Sequence, residues 1–250
     1  MLILLPPSET KADGGAGAPL DLDALGWQEL SAPRARVTKA LVQLAARPKA
    51  ASKALGLGPT QADELERNVQ LLDAPTMPAI ERYTGVLYDS LDIGSLEGDE
   101  GERARRRIAI SSALFGLVRA TDPIPAYRLS GGTKLPRIGG LAPVWKPRLV
   151  PLLEQVAARE LVVDLRSGAY QSLAPARGAV TVRVLNERAD GGRSVVSHFN
   201  KATKGRIARV LASSPDRHRH SLRDVVKFLE ADGMEVEHER DNHLDVILRD

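Results

Sequence analysis

The sequence predicts a single compact domain over residues 1–250 of the mixed α/β (α+β) class, with a mixed sheet flanked by helices. Three observations predict it: an apolar strand at the N-terminus, strand and helix patterns that interleave through the middle, and antiparallel hairpin signals towards the C-terminus. Size and composition agree, because 250 residues of which 43% are hydrophobic suffice for one substantial core.

The opening run MLILLPP lacks the basic flank and the length of a signal sequence and reads as a buried strand, residues 2–5. The stretch KADGGAGAP behind it is too polar and Gly-rich for regular structure. Helical periodicity covers 34–46 and 61–72, and Pro75 and Pro78 lead into one further helix, AIERYTGVLYDSL. The basic GERARRR leads into an apolar strand, IAISSALFGLV, and a loop, ATDPIPAYRL, carries two prolines and an aspartate. A helix over 145–159 precedes the strand LVVDL and the segment RSGAYQSL. VTVRVL then alternates apolar and polar residues, Asp190-Gly191-Gly192 supplies a turn with positive φ, and SVVSHF returns as the second strand of a hairpin. A helix begins with Asn200 as its N-cap. Ser221 caps the next helix, which runs to Ala231, and two alternating strands close the chain around Asp241-Asn242.

Composition removes several chemistries. With no cysteine, the chain has no disulfides, thiolate zinc sites, cysteine-ligated iron–sulfur clusters or cysteine nucleophiles. His218, His220, His238 and His243 show no metal-site spacing, so neither a metal nor a cofactor is expected. No apolar run is long enough to span a bilayer, and the expectation is a soluble, cytoplasmic protein without a membrane partner. The net charge of +3 conceals an asymmetry: residues 51–100 sum to −7 and residues 101–150 to +8. The acidic helix around Asp63, Glu64 and Glu66 can pair with Arg103, Arg105, Arg106 and Arg107, or the basic run stays open to a polyanion. A sequence pI near 9.2 makes nucleic acid a candidate partner.

The stretch SHFNKATKG, residues 197–205, concentrates chemistry. His198 offers an acid/base group. On the helix that follows, Thr203, Ile207, Val210 and Leu211 form an apolar face, beside which Lys201, Lys204, Gly205 and Ala208 lie together. An anion at that face would meet two ammonium groups and the free N–H groups of a first helical turn; the plainer alternative is a solvated basic face. Polar residues recur at element ends: Ser8, Thr10 and Lys11 after the first strand, Asp122, Tyr127 and Arg128 in the proline loop, Ser167 and Tyr170 beyond LVVDL. Their convergence with Lys201 and Lys204 would form a cationic cleft edged by tyrosines, suited to a phosphate backbone or a nucleotide. Each has a structural alternative as well: the tyrosines as core residues with one bonded hydroxyl, Arg128 as an ion-pair partner of Asp122.

On MLILLPPSET, the Gly85 and Tyr88 pair, the ungapped run SALFGLVRATDPIPAYRL with its Ser112, Gly116, Asp122, Tyr127, Arg128 and Leu129, the Ser167 and Tyr170 pair, and Lys201 with Gly205, the chain resembles the YaaA peroxide-stress protein family. The resemblance implies a single α/β fold with a positively charged cleft and a helix-hairpin-helix-like DNA-binding element. It also implies a role in limiting oxidative DNA damage under peroxide stress by lowering available intracellular iron. The chain departs from enteric members at Glu9, where they carry a lysine, at His198, where they carry an aromatic, and at Lys204, where arginine is usual.

Two functions follow. In one, the protein is a non-enzymatic binder of duplex or distorted DNA whose phosphate contacts are Lys11, Arg103, Arg105, Arg106, Arg107, Arg128, Lys201, Lys204 and Gly205. In the other, the cleft is an enzyme site for a small nucleotide- or nucleobase-like anion. There Lys201 and Lys204 stabilise charge, Tyr127 or Tyr170 donates a proton and Asp122 orients Arg128. Direct iron chelation lacks a 2-His-1-carboxylate pattern.

Overall fold

Leu2–Leu5 is buried at all four positions, as a strand covered on both faces must be. It pairs in parallel with Ile108–Ser112 on one side and with Val162–Asp164 on the other. The computed structural model, which describes residues 1–195 and 197–249 apart from the side chains of Pro59, Ser197, His198 and Phe199, builds an eight-stranded sheet around this centre. Beyond Val162–Asp164 lie Val180–Glu187 and His243–Arg249, both parallel to their neighbours, and then Glu235–Arg240, antiparallel at the edge. Gly116–Arg119 forms the opposite edge, antiparallel to Ile108–Ser112. The chain therefore leaves the central strand to build one neighbour and later returns to build the other. That reversal of strand order opens a crevice at the carboxyl ends of the parallel strands.

The mixed sheet, the first strand, the capped helix Leu222–Ala231 and the closing hairpin match the sequence reading. Ser221 and Asp224 form the reciprocal capping box. Several expectations differ. Residues 79–91 are two helices, Ala79–Arg82 and Val86–Leu91, because Tyr83 is extended and Gly85 takes φ 98°. IAISSALFGLV is two antiparallel strands; Ser112 Oγ accepts from the N–H groups of Leu114 and Phe115 and so closes the turn between them. GERARRR belongs to the helix Gly98–Arg107, and a helix at Pro48–Leu55, opened by its proline, was not foreseen.

The hairpin after Val180–Glu187 returns for two residues only, Arg193–Ser194. The next helix starts at Ser197, so Asn200 lies inside it and is no N-cap. Lys201 and Lys204 consequently sit beyond the first turn and do not share its free N–H groups. This helix, Ser197–Ser213, packs across the sheet and beside Val86–Leu91. Gly205 lies at the crossing: a Cβ there would stand 2.2 Å from Leu87 O and 2.7 Å from Ser90 Cβ. Its role is close helix approach, which corrects its assignment as an anion contact.

Candidate functional site

A cavity of about 1100 Å³ occupies the crevice at the carboxyl ends of Leu2–Leu5 and Val162–Asp164. The segments that follow these strands form two walls, Pro6 to Thr10 and Leu165 to Gln171. Thr84 to Tyr88, Ser130 to Gly132, the start of Val180–Glu187 and Asn200, Lys201 and Lys204 complete it. The structure thus brings Thr10, Tyr88, Ser167, Tyr170, Lys201 and Lys204 to one space from four separate stretches of chain.

Their surroundings set what each can do. Thr10 Oγ1 donates to Thr84 O at 3.2 Å and lies 3.0 Å from Ser8 Oγ, tying the first loop to the turn before Val86–Leu91. Tyr88 donates its phenol to Pro6 O at 2.8 Å. Burial raises the pKa of both Tyr88 and Tyr170, so these phenols stay protonated and act as donors or apolar walls, not as bases. Lys204 Nζ donates to Leu165 O at 3.3 Å; burial lowers its pKa and the charge of Asp164 opposes that shift. Arg166 also lines the cavity, but Asp164 accepts two bonds from its guanidinium at 2.8 Å, which cancels its charge. Lys201 is exposed at the rim. Among the described lining residues, the cations without a carboxylate in salt-bridge contact are therefore the two lysines, since Arg183 is paired with Asp245 and Glu239.

The remaining candidates lie elsewhere. Tyr127 is buried behind the cavity, its hydroxyl 2.8 Å from both Tyr83 Oη and Ser112 Oγ, so it does not reach a ligand as a proton donor. Lys11 is buried against the Tyr127 ring, 4.5 Å from its centroid, and its ammonium donates to Ser8 O and Glu9 O. Burial lowers its pKa to about 8, and the charges of Glu9 and Glu64 oppose the shift. It shapes the loop that lines the cavity and is not an open phosphate contact.

Asp122 does not orient Arg128. Both of its oxygens accept from Gly26 N–H at 3.1 Å, and one accepts from Arg119 N–H at 2.9 Å, whereas Arg128 pairs with Glu9 at 2.9 Å. Arg103, Arg106 and Arg107 do not pair with the acidic helix either. They turn to the far end of the helix Ser197–Ser213, where Arg103 donates to Ser213 O and Arg107 to Leu211 O, Ala212 O and Ser214 O. Arg106 and Arg107 share Asp216 at 2.9 and 2.6 Å. A helix C-terminus attracts cations, which explains the placement. Arg105 is half-buried on the same helix, and none of the four lines the cavity. The side chain of His198 lies outside the described residues.

A model described as peroxide stress protein YaaA matches residues 1–240. The chain belongs to the YaaA peroxide stress protein family. A UPF0246 protein of Corynebacterium glutamicum is 48% identical over 249 residues, covering 99% of this chain and 98% of its own length. One of Streptomyces coelicolor is 44% identical over 244 residues, 93% of each chain, and an uncharacterized Campylobacter jejuni protein is 26% identical over 224 residues, 89% of each.

In this YaaA-family protein, sequence reasoning missed Asn68, which is buried in the helix Ala62–Val69. Its side-chain amide donates to Arg128 O and accepts from Arg128 N–H, each at 2.8 Å, and so fixes the backbone beside the Glu9 pair. A lone asparagine facing inward from an amphipathic helix was its only signal. Also missed was a cluster at the cavity's far edge, where atoms of Glu239, His243 and Asp245 approach within 4.8 Å of one another. Arg183 donates to both Asp245 oxygens at 2.8 and 2.7 Å and stands 3.3 Å from Glu239, so a guanidinium supplies the positive charge there. No helix among the described residues is long and apolar enough to cross a membrane.

Proposed function

We propose that this YaaA-family protein serves the peroxide-stress response by binding duplex DNA, without sequence specificity, at the lysine-edged rim of the large cavity. In this reading it limits oxidative DNA damage and helps lower available intracellular iron, the effect on iron being indirect. The carrying observation is the pairing of exposed Lys201 with Lys204 one turn further along the same helix, in a cavity also lined by Ser8, Thr10, Ser130 and Ser167. Lysines on phosphate release condensed counterions, and hydroxyl donors position a backbone without reading bases. In this reading the hairpin-like part of the rim is the turn through Gly85, at φ 98°, and the start of the helix Val86–Leu91. The Arg103 to Arg107 run contributes little, being turned away from the cavity.

The depth of the cavity favours a second reading, in which a nucleotide- or nucleobase-like anion binds inside it and reacts. About 1100 Å³ is ample for a mononucleotide, Tyr170 is a protonated donor, and the two lysines stabilise developing negative charge. Fluorescence anisotropy with duplex, bulged and junction DNA, between roughly 50 and 200 mM salt and with mononucleotides as competitors, separates the two. DNA binding predicts micromolar or tighter affinity that falls about tenfold or more across that range, weak competition and a modest loss in Lys201→Ala. Equal affinity at the two salts, with saturable nucleotide binding abolished in Lys201→Ala, would instead favour a nucleotide site, for which turnover of the bound nucleotide is then the test of the enzyme reading.

A further inference from the structure

A second pocket, of about 440 Å³, opens at the other end of the sheet, where Leu2 begins the central strand. Four arginines reach it from three elements: Arg106 and Arg107 from the last turn of Gly98–Arg107, Arg119 from the end of Gly116–Arg119 and Arg159 from the end of Ala142–Arg159. Of the three carboxylates in its lining, Glu160 is taken by the Met1 amine at 2.8 Å and Asp216 is shared by Arg106 and Arg107. Glu29 and Asp216 thus face four guanidiniums, a surplus of two positive charges. Arg119 and Arg159 are exposed and have no acidic partner among the described residues. Like charges gathered without compensation repel one another, and an anion between them removes that repulsion.

One wall is Trp27, whose φ of 58° puts a bulky residue in the left-handed region that its side chain disfavours. The same Asp122 that failed to reach Arg128 holds this arrangement. It accepts from Gly26 N–H, next to Trp27 in sequence, and from the N–H of Arg119, whose guanidinium lies 4.4 Å from the centroid of the Trp27 ring. Asp122 is therefore a positioning residue for the Trp27–Arg119 pair, which lines the pocket together with the unpaired Arg159.

We propose that this pocket is a second anion site, separate from the large cavity, which takes a phosphate monoester or diphosphate group. Arg119 and Arg159 supply the uncompensated charge and Trp27 the aromatic wall. A phosphate monoester carries about −1.5 to −2 at neutral pH, which matches the surplus of two, and guanidinium forks bind its oxygens bidentately. The volume admits such a group with a small organic portion. The site stands on its own residues and does not depend on the reading of the large cavity.

The chain has two tryptophans, and Trp145 is fully buried, so an emission change on ligand binding reports Trp27. Inorganic phosphate, pyrophosphate and a 5′-phosphorylated oligonucleotide, the last against its 5′-hydroxyl form, are titrated into the full chain by fluorescence and calorimetry. The expected result is saturable binding of at least one probe, weakened about tenfold or more by Arg159→Ala. The emission change is lost in Trp27→Phe and kept in Lys201→Ala. Preference for the phosphorylated oligonucleotide over its hydroxyl form places the phosphate on a nucleic-acid end; preference for pyrophosphate places it on a free ligand. Absence of saturable heat and emission change with all three probes, or binding unaltered in both Arg119→Ala and Arg159→Ala, would overturn the proposal.

Discussion

Lys11 shows how a charged residue can shape a site without entering it. Its ammonium is buried against Tyr127 and holds two loop carbonyls, and burial lowers its pKa from 10.5 to about 8. In the unfolded chain the group keeps its ordinary value, so between pH 8 and 10.5 the unfolded state binds the extra proton. Stability attributable to Lys11 therefore rises with pH across that window, by up to roughly 3 kcal/mol, and its burial penalty is full below pH 8. Urea unfolding of wild type and Lys11→Met from pH 7.5 to 10.5 checks this; wild-type stability rises relative to that of the variant as pH goes up from about 8. Tyr127→Phe should cost about 1–2 kcal/mol, because the buried Tyr83 hydroxyl loses its partner, while leaving ligand binding in the cavity unchanged. At this scale the sequence was legible in residue type and not in direction. Tyr127 and Tyr170 looked alike on the page, but one faces Ser112 and Tyr83 and the other faces the cavity. Asp122 and Arg128 stand six positions apart, and nothing local reveals that Asp122 answers Gly26 and Arg119 while Arg128 answers Glu9.

Among the elements, the helix Ser197–Ser213 carries the lysine edge, and its position depends on Gly205. Gly205→Val would drive its side chain into Leu87 O and Ser90 Cβ, so the two helices must separate. The expected cost is about 1–3 kcal/mol in urea unfolding, together with weaker anion binding as Lys201 and Lys204 move away from the wall bearing Tyr88. Elements with strong periodicity or a complete cap were readable: the buried first strand, the Ser221 capping box and the closing hairpin. Those that the reading merged or missed were decided by single backbone positions. Gly85 breaks one helix into two, Ser112 turns one strand into a hairpin, and the helix at Ser197 begins without the asparagine cap that residue type suggested. Apolar runs of this length do not distinguish one continuous element from two short ones.

For the whole molecule, a central strand with neighbours built on opposite sides leaves a crevice at one end, and segments distant in sequence close it into a cavity. The hydroxyls and phenols beyond the first strand and beyond LVVDL were legible because they follow strands, whereas the lysines were placed near the start of a helix that in fact begins earlier, at Ser197. The position of the basic run was not legible, since its destination is a helix terminus more than a hundred residues later. The central claim is that the lysine rim of this cavity meets DNA. Hydrogen–deuterium exchange of the protein with and without saturating duplex DNA tests it most directly. Slowed exchange is expected in residues 84–88, 130–132, 166–171 and 200–204, lost again in high salt and diminished in Lys201→Ala. Slowed exchange confined to other surfaces, with these four segments unchanged, would contradict it.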